Sequence, residues 1–344
     1  MDSWARLSMY ESTELVRESF RRLRDRDLQL VRAQEIVSAF AQGREYFSAA
    51  DAAGLLVRPL LQYYGVLSLS RGLVLFLNMD NLRENALPQS HGLTATGWGP
   101  NLARGDTSPA ELEVEVTKGT FGQLLKCTSE GDFISVFTGP YPNRLIFNPP
   151  PLSKDIEGRR FSLKQVFARL PELRALYERT FDEAAANYRG FVFTIGETQT
   201  TIDVFKERKD LDEETIRRQL SIPPDVEVRA KFQHNFVPFA PHLTYCLTHG
   251  GERPFPMGLP QIEPAEEDMG IIAPFAENIR LSRLSRLFVL AYFLGTLARY
   301  HPTAWLSIMH GRQNGDRLLS MIRESMNIIQ RSFPELTVRA LEPL

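Results

Sequence analysis

The sequence has few cysteines, no long uninterrupted apolar run and no excess of either charge. Its 344 residues include two cysteines, Cys127 and Cys246, which form no CxxC pair, so a site built from four thiolates is excluded. So few thiols favour a reducing, cytoplasmic setting. The 40 Lys and Arg residues nearly balance the 42 Asp and Glu residues. This balance excludes a protein that holds nucleic acid by bulk charge alone.

The most apolar early stretch, Pro59 to Leu77, is interrupted by polar residues that include Arg71. A membrane-spanning helix needs about 20 apolar residues with few or no charges. We therefore expect a buried helix of a soluble protein here, and no association with a membrane. Residues 1–26 are rich in Arg and Glu and lack the apolar core of a signal peptide. The overall composition, 43% hydrophobic and 24% charged, is typical of a soluble globular protein.

The spacing of apolar residues divides the chain into three zones. Residues 1–81 are predicted to be helical, residues 82–268 to form a β-rich α+β region, and residues 269–344 to be helical again. Runs of helices, then strands, then helices are typical of an α+β fold. We expect the N-terminal and C-terminal helices to pack together into one helical bundle, with the β-rich middle region inserted between them.

The helix that contains Pro59 is predicted to lie at the centre of this bundle, because it is apolar on nearly every side. The proline predicts a kink or the start of a helix, and Asp51 is a candidate N-cap. Gly54, Gly65 and Gly72 each cost about 1 kcal/mol in a helix relative to Ala. We expect these glycines to permit close contact between helices.

Strands are predicted in the middle zone where apolar and polar residues alternate or where short apolar runs occur. They cover residues 112–116, 133–137, 145–147, 190–195, 201–205 and 226–232. Residues 85–106, rich in Gly, Pro and Asn, are predicted to be a loop, and residues 253–274, with five prolines, a loop or lid. A helix is predicted over residues 161–177, with Ser162 as a candidate N-cap and a break at Pro171. Another is predicted over residues 212–220.

The sequence contains no GxxxxGK[ST], no GxGxxG after a strand, no HExxH and no GxSxG motif. His91 follows the long apolar helix in a glycine-bearing segment, where an imidazole can act as a general acid or base. Arg83 precedes it by eight positions, and a guanidinium can stabilise the anionic oxygens of a phosphodiester while the imidazole moves a proton. The structural alternative is that His91 caps a helix or donates a hydrogen bond to a backbone carbonyl.

Arg58, Tyr64 and Arg71 are candidate ligand-binding residues on the apolar helix. A buried Arg needs an ionic partner or a ligand. One interpretation is an anion site between helices. The other is a set of internal salt bridges, with partners among Glu35, Glu45 and Asp51.

Arg299 and His301 form a second candidate group near the end of a strongly apolar helix in the last zone. The helix dipole alone favours cations at that position, so a structural role is the alternative to ligand binding. His234, His242 and His249 are eight and seven residues apart with no carboxylate between them. This spacing fits no zinc pattern, and we expect no metal and no other cofactor.

Short motifs along most of the chain resemble the YaaC-like family of bacterial proteins. They include a proline-led Tyr-Tyr-Gly helix, a His-Gly motif after it, and an Arg-Tyr-His-Pro-Thr-Ala-Trp segment. In chain order the motifs are Arg58–Leu69, His91–Leu93, Gly119–Phe121, Phe161–Lys164, Leu170–Leu173 and Leu294–Trp305. The family is largely uncharacterised, so the resemblance implies a shared fold and carries little mechanism.

The N-terminal helices also look like the HEPN class of helical bundles. Many HEPN proteins are metal-independent ribonucleases of toxin and phage-defence systems that use an Arg and a His. Here seven residues separate Arg83 from His91. The resemblance therefore implies either a ribonuclease or an inactive, ligand-binding relative.

Two hypotheses follow. The first is a non-catalytic binding or regulatory protein that acts through a protein partner, a second copy of the chain or a nucleotide, in a stress or phage-defence setting. Its expected ligand-binding residues are Arg58, Tyr64, Arg71, Arg299 and His301. The second is a metal-independent ribonuclease with His91 as general acid or base and Arg83 as the stabilising cation. Both expect the His91 segment and residues 299–305 to meet in one site.

Overall fold

The structure is a computed structural model, and it describes residues 2–78, 80, 82–104, 108–128, 133–138, 141–146, 156–195, 199–205, 213–220, 227–231, 242–248, 261–264, 269–312 and 317–342. Its helices are α1 (Ser3–Leu7), α2 (Thr13–Arg24), α3 (Leu30–Ala52), α4 (Arg58–Leu77), α5 (Trp98–Arg104), α6 (Thr120–Thr128), α7 (Leu163–Phe167), α8 (Arg174–Phe181), α9 (Glu213–Leu220), α10 (Arg283–Tyr300), α11 (Pro302–Met309) and α12 (Arg317–Leu341). Its strands are β1 (His91–Ala95), β2 (Glu113–Gly119), β3 (Phe133–Thr138), β4 (Tyr141–Ile146), β5 (Arg160–Ser162), β6 (Asn187–Ile195), β7 (Gln199–Phe205), β8 (Glu227–Lys231), β9 (His242–Thr248), β10 (Gln261–Pro264) and β11 (Met269–Ile272).

The chain is an α+β protein with helices at both ends, as predicted. Two compact units are present. Unit 1 consists of Met1–Glu130, Lys154–Val166 and Ser282–Leu344, and unit 2 of Gly131–Ser153 and Phe167–Leu281. Unit 1 therefore combines the N-terminal and C-terminal helices with part of the middle zone.

Helix α4 lies at the centre of unit 1, where α3, α10 and α12 pack against it. Small residues allow this approach. A Cβ atom on Gly65 would lie 2.6 Å from a ring carbon of Phe47 on α3, and one on Gly72 would lie 3.0 Å from the ring of Phe40. These contacts confirm the expectation for Gly65 and Gly72. Gly54 lies outside the helices, and a Cβ there would meet nothing within 4 Å, so the expectation was wrong for that residue.

Helix α4 starts where its proline indicates. Pro59 lies in the first turn, where the missing backbone N–H is not needed. The N-cap is Val57, which makes no capping hydrogen bond through its side chain. Asp51 lies in the last turn of α3, so its predicted capping role was wrong, because a turn separates it from α4.

Arg32 on α3 closes the C-terminal end of α4. Its Nε and Nη2 atoms donate to the carbonyl of Leu75 at 2.8 and 2.6 Å, and Nη2 also donates to the carbonyl of Asn78 at 2.6 Å. The last carbonyls of a helix lack partners within the helix, and this guanidinium supplies them. Only 2% of Arg32 is exposed, and burial lowers the pKa of its side chain.

A three-stranded antiparallel sheet, in the order β1-β2-β5, completes unit 1 with α5 and α6. Strand β1 and helix α5 lie within residues 85–106, so the prediction of a loop there was wrong. The strand pairs with a partner distant in sequence, since His91 lies opposite Gly119. Local alternation, on which the prediction was based, does not detect such pairing.

Ser162 is an N-cap, as predicted. The backbone N–H of Gln165 donates to Ser162 Oγ at 3.2 Å, and Gln165 Oε1 accepts from the backbone of Ser162 at 3.1 Å, which forms a capping box. The helical stretch predicted over 161–177 is divided near Pro171, as predicted, but its ends were wrong, since 161–162 belong to β5 and α8 ends at Phe181. The chain leaves β5 at Ser162, forms α7, and starts α8 only after a turn that begins at Pro171.

Unit 2 contains one antiparallel sheet in the order β10-β11-β6-β7-β9-β8, with β3 paired to β4 and, in parallel, to β6. The predicted strands in this unit and the helix α9 are confirmed, although β4 starts at Tyr141, earlier than predicted. Strand β9 was missed. Strands β10 and β11 lie in the stretch predicted as a loop or lid, so that prediction was wrong for those residues. His234 and His249 lie outside the described residues.

One helix in the described part of the chain, α4, is long and apolar enough to cross a membrane by length and composition alone. Of its most apolar 18-residue window, 67% is buried inside the protein. Core helices of soluble proteins meet the same criterion, so this feature is weak support for a membrane span.

Candidate functional site

His91 is brought into unit 1 by a close approach of two glycines. Gly92 has φ +86°, a left-handed conformation that favours glycine, and a Cβ on Gly119 would clash with the Gly92 backbone. The half-buried imidazole lies edge to face with Tyr63 on α4, with 5.5 Å between ring centroids. The ring of Tyr292 on α10 is 6.3 Å away.

Arg299 is exposed and lies in the last turn of α10. One of its nitrogens, Nη1, donates a hydrogen bond to the Tyr64 hydroxyl. Its guanidinium carbon is 5.8 Å from the centroid of the Tyr64 ring and 4.8 Å from that of Tyr300, which is the range of cation–π contacts. Within the described residues, no carboxylate forms a salt bridge with Arg299.

These residues form one group, which we call the Arg299 cluster. Its rings come from α4, β1 and α10, and α4 and α10 touch at Gly295, where an added Cβ would lie 2.7 Å from Tyr63 Cβ. A further ring, Tyr46 on α3, stacks on Tyr64 at 5.5 Å. The members of the Arg299 cluster are Tyr63, Tyr64, His91, Tyr292, Arg299 and Tyr300.

Tyr63 is the most deeply buried member that carries an unsatisfied polar atom. Only 4% of the residue is exposed, and its hydroxyl has no hydrogen-bond partner among the residues described. By contrast, the Tyr292 hydroxyl has hydrogen-bonding groups of Thr296 and of the Ala95 backbone beside it. Buried polar groups in proteins are nearly always paired, so the Tyr63 hydroxyl marks an incomplete set of contacts.

The positive charge of Arg299 influences the pKa values of His91 and Tyr63. Burial lowers the pKa of His91, and the nearby positive charge of Arg299 lowers it further, so the imidazole is neutral at pH 7. Burial raises the pKa of Tyr63, while Arg299 acts in the opposite direction. Both groups therefore lie within the electrostatic range of the guanidinium, and both are neutral hydrogen-bonding groups at pH 7.

His301 lies beside the cluster, against a different ring. Its imidazole centroid is 6.0 Å from that of Trp98 on α5, and burial lowers its pKa. Trp98 in turn stacks on Phe293 at 5.3 Å and donates from Nε1 to the carbonyl of Glu113 at 2.6 Å. Trp305, at the end of the segment, donates to the carbonyl of Leu55. The segment thus divides, with Arg299 facing His91 and the other two side chains packed elsewhere.

Arg83 forms an ion pair with the carboxylate of Glu35. Its Nε and Nη2 atoms donate to both oxygens of Glu35 at 2.7 to 3.0 Å, and the same carboxylate accepts from the backbone of Glu84 at 3.0 Å. Hydrogen bonds from Arg83 are the main cause of the lowered pKa of Glu35. Of these two cations, Arg299 is the one whose charge acts on His91, whereas Arg83 is neutralised by its partner.

In the described residues, neither Arg71 nor Arg58 forms a salt bridge with the carboxylates that were predicted as its partners. Arg71 lies 3.7 Å from Glu84, a carboxylate that was not among the expected partners. Arg58 is partly exposed at the start of α4, and its buried Nε atom has no hydrogen-bond partner in the described part of the chain. Neither residue contacts the Arg299 cluster in the interactions described above.

Sequence reasoning missed Tyr292 as a member of the site, and it included Tyr300 only as part of the segment 299–305. Tyr292 lies seven residues before Arg299, about two turns of helix, so the two share one face of α10. That spacing was the available signal. Cys127 has no part in the site, since burial raises the pKa of its thiol to about 12 and so suppresses the thiolate. The described residues contain no group of three or more His, Cys, Asp or Glu side chains that could hold a metal ion.

Unit 1 also contains a cavity of about 630 Å³ between α1, α3 and α12. None of the site residues expected from the sequence lines it. Its arginines are paired, since Arg44 contacts Glu11 at 2.6 Å and Arg331 contacts Glu324 at 3.1 Å. It is lined by Asp2, Ser3, Trp4, Arg44, Glu45, Phe47, Ser48, Asp51, Gln330, Arg331 and Pro334.

The protein thus has an α+β fold, and the helices of unit 1 hold the Arg299 guanidinium next to a group of tyrosine rings. Comparison with protein families matches residues 8–341 to the family described as YaaC-like Protein. The chain belongs to the YaaC-like family, as its motifs indicated. No curated protein and no solved structure gives a significant match. The HEPN-like resemblance of the N-terminal helices is not shown by the family comparison and stays a prediction.

Proposed function

We propose that this protein is a non-catalytic binding protein that recognises a nucleotide at the Arg299 cluster. The observation that carries the proposal is the state of Arg299, an exposed guanidinium held by aromatic rings and a hydroxyl, with no carboxylate salt-bridge partner among the described residues. A cation that is fixed in position but not neutralised is suited to an anionic ligand. A nucleotide supplies such an anion together with a planar ring.

Arg299 is prepared for bidentate binding. Its contact with Tyr64 uses one N–H group and fixes the plane of the guanidinium. The other N–H groups form a rigid fork that matches two oxygens of a phosphate. Because the side chain is already restrained, less conformational entropy is lost when a ligand binds.

Tyr300 supplies the surface for the base. Its side chain is 61% exposed, although it lies against the Arg299 guanidinium. Bases stack on exposed aromatic rings with little dependence on sequence. An exposed ring next to an available cation supports the binding of a ligand that is flat on one side and anionic on the other.

The position of the cluster makes the site depend on this one arginine. Arg299 lies in the last turn of α10, and the C-terminal end of a helix carries partial negative charge. An anion would be repelled there without a cation. Removal of the guanidinium should therefore abolish anion binding rather than weaken it slightly.

Isothermal titration calorimetry with a panel of ribonucleoside mono-, di- and triphosphates tests the proposal. The unmodified protein should bind at least one nucleotide, Arg299→Lys should bind it more weakly, and Arg299→Ala should lose at least about tenfold in affinity. Arg339→Ala is the matched control, because Arg339 is an exposed helical arginine that pairs with Glu335 on α12. Failure of the whole panel to bind, or equal loss in the control, would contradict the proposal.

A metal-independent ribonuclease is the second candidate, and the observation that favours it is the neutral imidazole of His91 beside Arg299. A neutral imidazole can accept a proton from a 2′-hydroxyl while a cation stabilises the phosphate. Incubation of cellular RNA with the protein in chelator tests this role. Cleavage lost in His91→Ala and in Arg299→Ala, but kept in Arg83→Ala, would assign the reaction to this pair of residues. Loss in Arg83→Ala would favour the pair expected from the sequence, and no cleavage would leave the binding function alone.

A further inference from the structure

We infer that the Tyr63 hydroxyl is the inner, specificity-determining contact of the site and donates a hydrogen bond to a phosphate oxygen of the ligand. This inference rests on the proposed function, because it concerns how the same site orients its nucleotide. It adds a direction, with the phosphate bound inside between Tyr63, His91 and Arg299 and the base bound outside on Tyr300.

The buried hydroxyl lacks an acceptor. Tyr63 is 4% exposed and its Oη atom has no partner in the described residues, although burying an unpaired hydroxyl is unfavourable. The ring is held in place by its surroundings, with its Cβ against Gly295 and edge-to-face contacts at 5.5 Å to both His91 and Tyr292. Rotation into water is therefore restricted, and an acceptor supplied by a bound ligand would satisfy the hydroxyl.

The available polar groups at this point can all donate hydrogen bonds. Arg299 can only donate, the Tyr63 hydroxyl is a free donor, and a neutral His91 carries one N–H group. No carboxylate forms a salt bridge with the cation within the part of the chain described. A group of donors that includes a cation is complementary to an oxyanion, whereas a base edge or an amide would bring donors of its own.

The difference in burial between the inner and outer ends of the site predicts how the ligand is oriented. Tyr63 lies inside and Tyr300, at 61% exposure, lies outside, with Arg299 in contact with Tyr300 and within electrostatic range of Tyr63. The phosphate would reach the inner donors, and the base would remain at the surface. The expected ligand class is a nucleotide with a terminal phosphate, and the unphosphorylated nucleoside should be rejected, since it would leave the inner donors unpaired.

Tyr63→Phe tests the inference, because it removes one oxygen atom and keeps the ring. Calorimetry would use the four ribonucleoside 5′-monophosphates and the four nucleosides. The monophosphate bound best by the unmodified protein should bind about 10- to 100-fold more weakly to Tyr63→Phe, as expected for a lost hydrogen bond to a charged group. Its nucleoside should bind weakly to both proteins. Equal affinity of the monophosphate for both would overturn the inference.

Tyr10→Phe is the matched control. Tyr10 is also buried, at 1% exposure, but its hydroxyl has the Ser19 side chain beside it, and its ring contacts Phe76, near the far end of α4. Tyr63 and Phe76 are 13 residues apart, roughly 20 Å along the helix. Tyr10→Phe should lower the unfolding temperature and keep the affinity, whereas Tyr63→Phe should keep or raise the unfolding temperature. Equal losses of affinity in both variants would also overturn the inference.

A competition experiment on the unmodified protein does not depend on the folding of a variant. Inorganic phosphate should displace the bound monophosphate, and the nucleoside should not. Displacement by the nucleoside but not by phosphate would place the base inside and overturn the inference while leaving the proposed function intact. If no nucleotide binds the unmodified protein at all, the proposed function fails and the inference fails with it.

Discussion

Arg83 and Glu35 form a bidentate ion pair that joins α3 to the segment after α4. Two nitrogens of Arg83 donate to both carboxylate oxygens of Glu35, and the Glu84 backbone adds a third donor to the same group. Arg83, which the sequence spacing had predicted to act together with His91, is therefore neutralised by Glu35. Its physical role is to hold the start of the segment that leads to β1.

Glu35→Gln should lower the stability of the protein in a pH-dependent way. The folded-state pKa of Glu35 is depressed, chiefly by the hydrogen bonds from Arg83, so its stabilising contribution is present above the ordinary pKa of a glutamate. It is lost as the pH falls through the folded-state value. Urea unfolding at pH 7 should therefore show a lower midpoint for the variant, and the difference should shrink as the pH falls below about 4. A difference that is independent of pH would contradict this assignment.

Arg32→Met should destabilise the protein by about 2 to 4 kcal/mol, because the carbonyls of Leu75 and Asn78 would stay buried without donors. Arg24→Met is the matched control. Its guanidinium also reaches the end of α4, but through one long contact of 3.4 Å to Leu77, and its removal should cost less than about 0.5 kcal/mol. Chemical denaturation of both variants measures the difference, and equal effects would refute the capping role of Arg32.

Gly65→Ala should destabilise the protein by about 1 to 3 kcal/mol although Ala is the better helix former, since the new methyl group would overlap the ring of Phe47. Gly122→Ala in α6 provides the opposite case. A Cβ atom there would meet nothing within 4 Å, so the substitution should stabilise the protein by about 0.5 to 1 kcal/mol. Thermal unfolding should give shifts of opposite sign. Shifts of the same sign would show that close packing of α3 on α4 does not determine the effect.

Arg299→Ala should raise the pKa of His91 toward its ordinary value. Burial is the main cause of the lowered pKa and would remain, but the positive charge that adds to it would be removed. Arg299→Lys keeps the charge and should leave the pKa nearly unchanged. Titration of the His91 ring by NMR measures both variants. An unchanged pKa of His91 in Arg299→Ala would show that Arg299 does not act on His91, and it would contradict their assignment to one site.

Local sequence signals predicted the parts of the fold that depend on local chemistry. Pro59 marks the start of α4 because proline fits the first turn, and Ser162 caps α7 because its hydroxyl reaches the backbone of Gln165. Strand β1 was missed, because its pairing with β2 joins residues distant in sequence, as in His91 opposite Gly119. The capping of α4 by Arg32 was missed for the same reason, since donor and acceptor lie 43 positions apart in the sequence.

The candidate site was predicted in part. The meeting of His91 with Arg299 was expected from two motifs, and the structure brings these residues together. The ion pair between Arg83 and Glu35 was not predicted, because sequence spacing gives no information on which carboxylate a guanidinium will reach. Tyr292 was missed because tyrosines on an apolar helix are more often part of the core.

The central claim, that the Arg299 cluster binds a nucleotide through its phosphate, is tested most directly by a crystal structure of the protein with the tightest-binding ribonucleoside monophosphate. We predict a phosphate oxygen about 3 Å from the Tyr63 hydroxyl, a second near Arg299, and the base against Tyr300. A nucleotide bound elsewhere, for example in the cavity beside Trp4, with the Arg299 cluster unchanged, would contradict the claim.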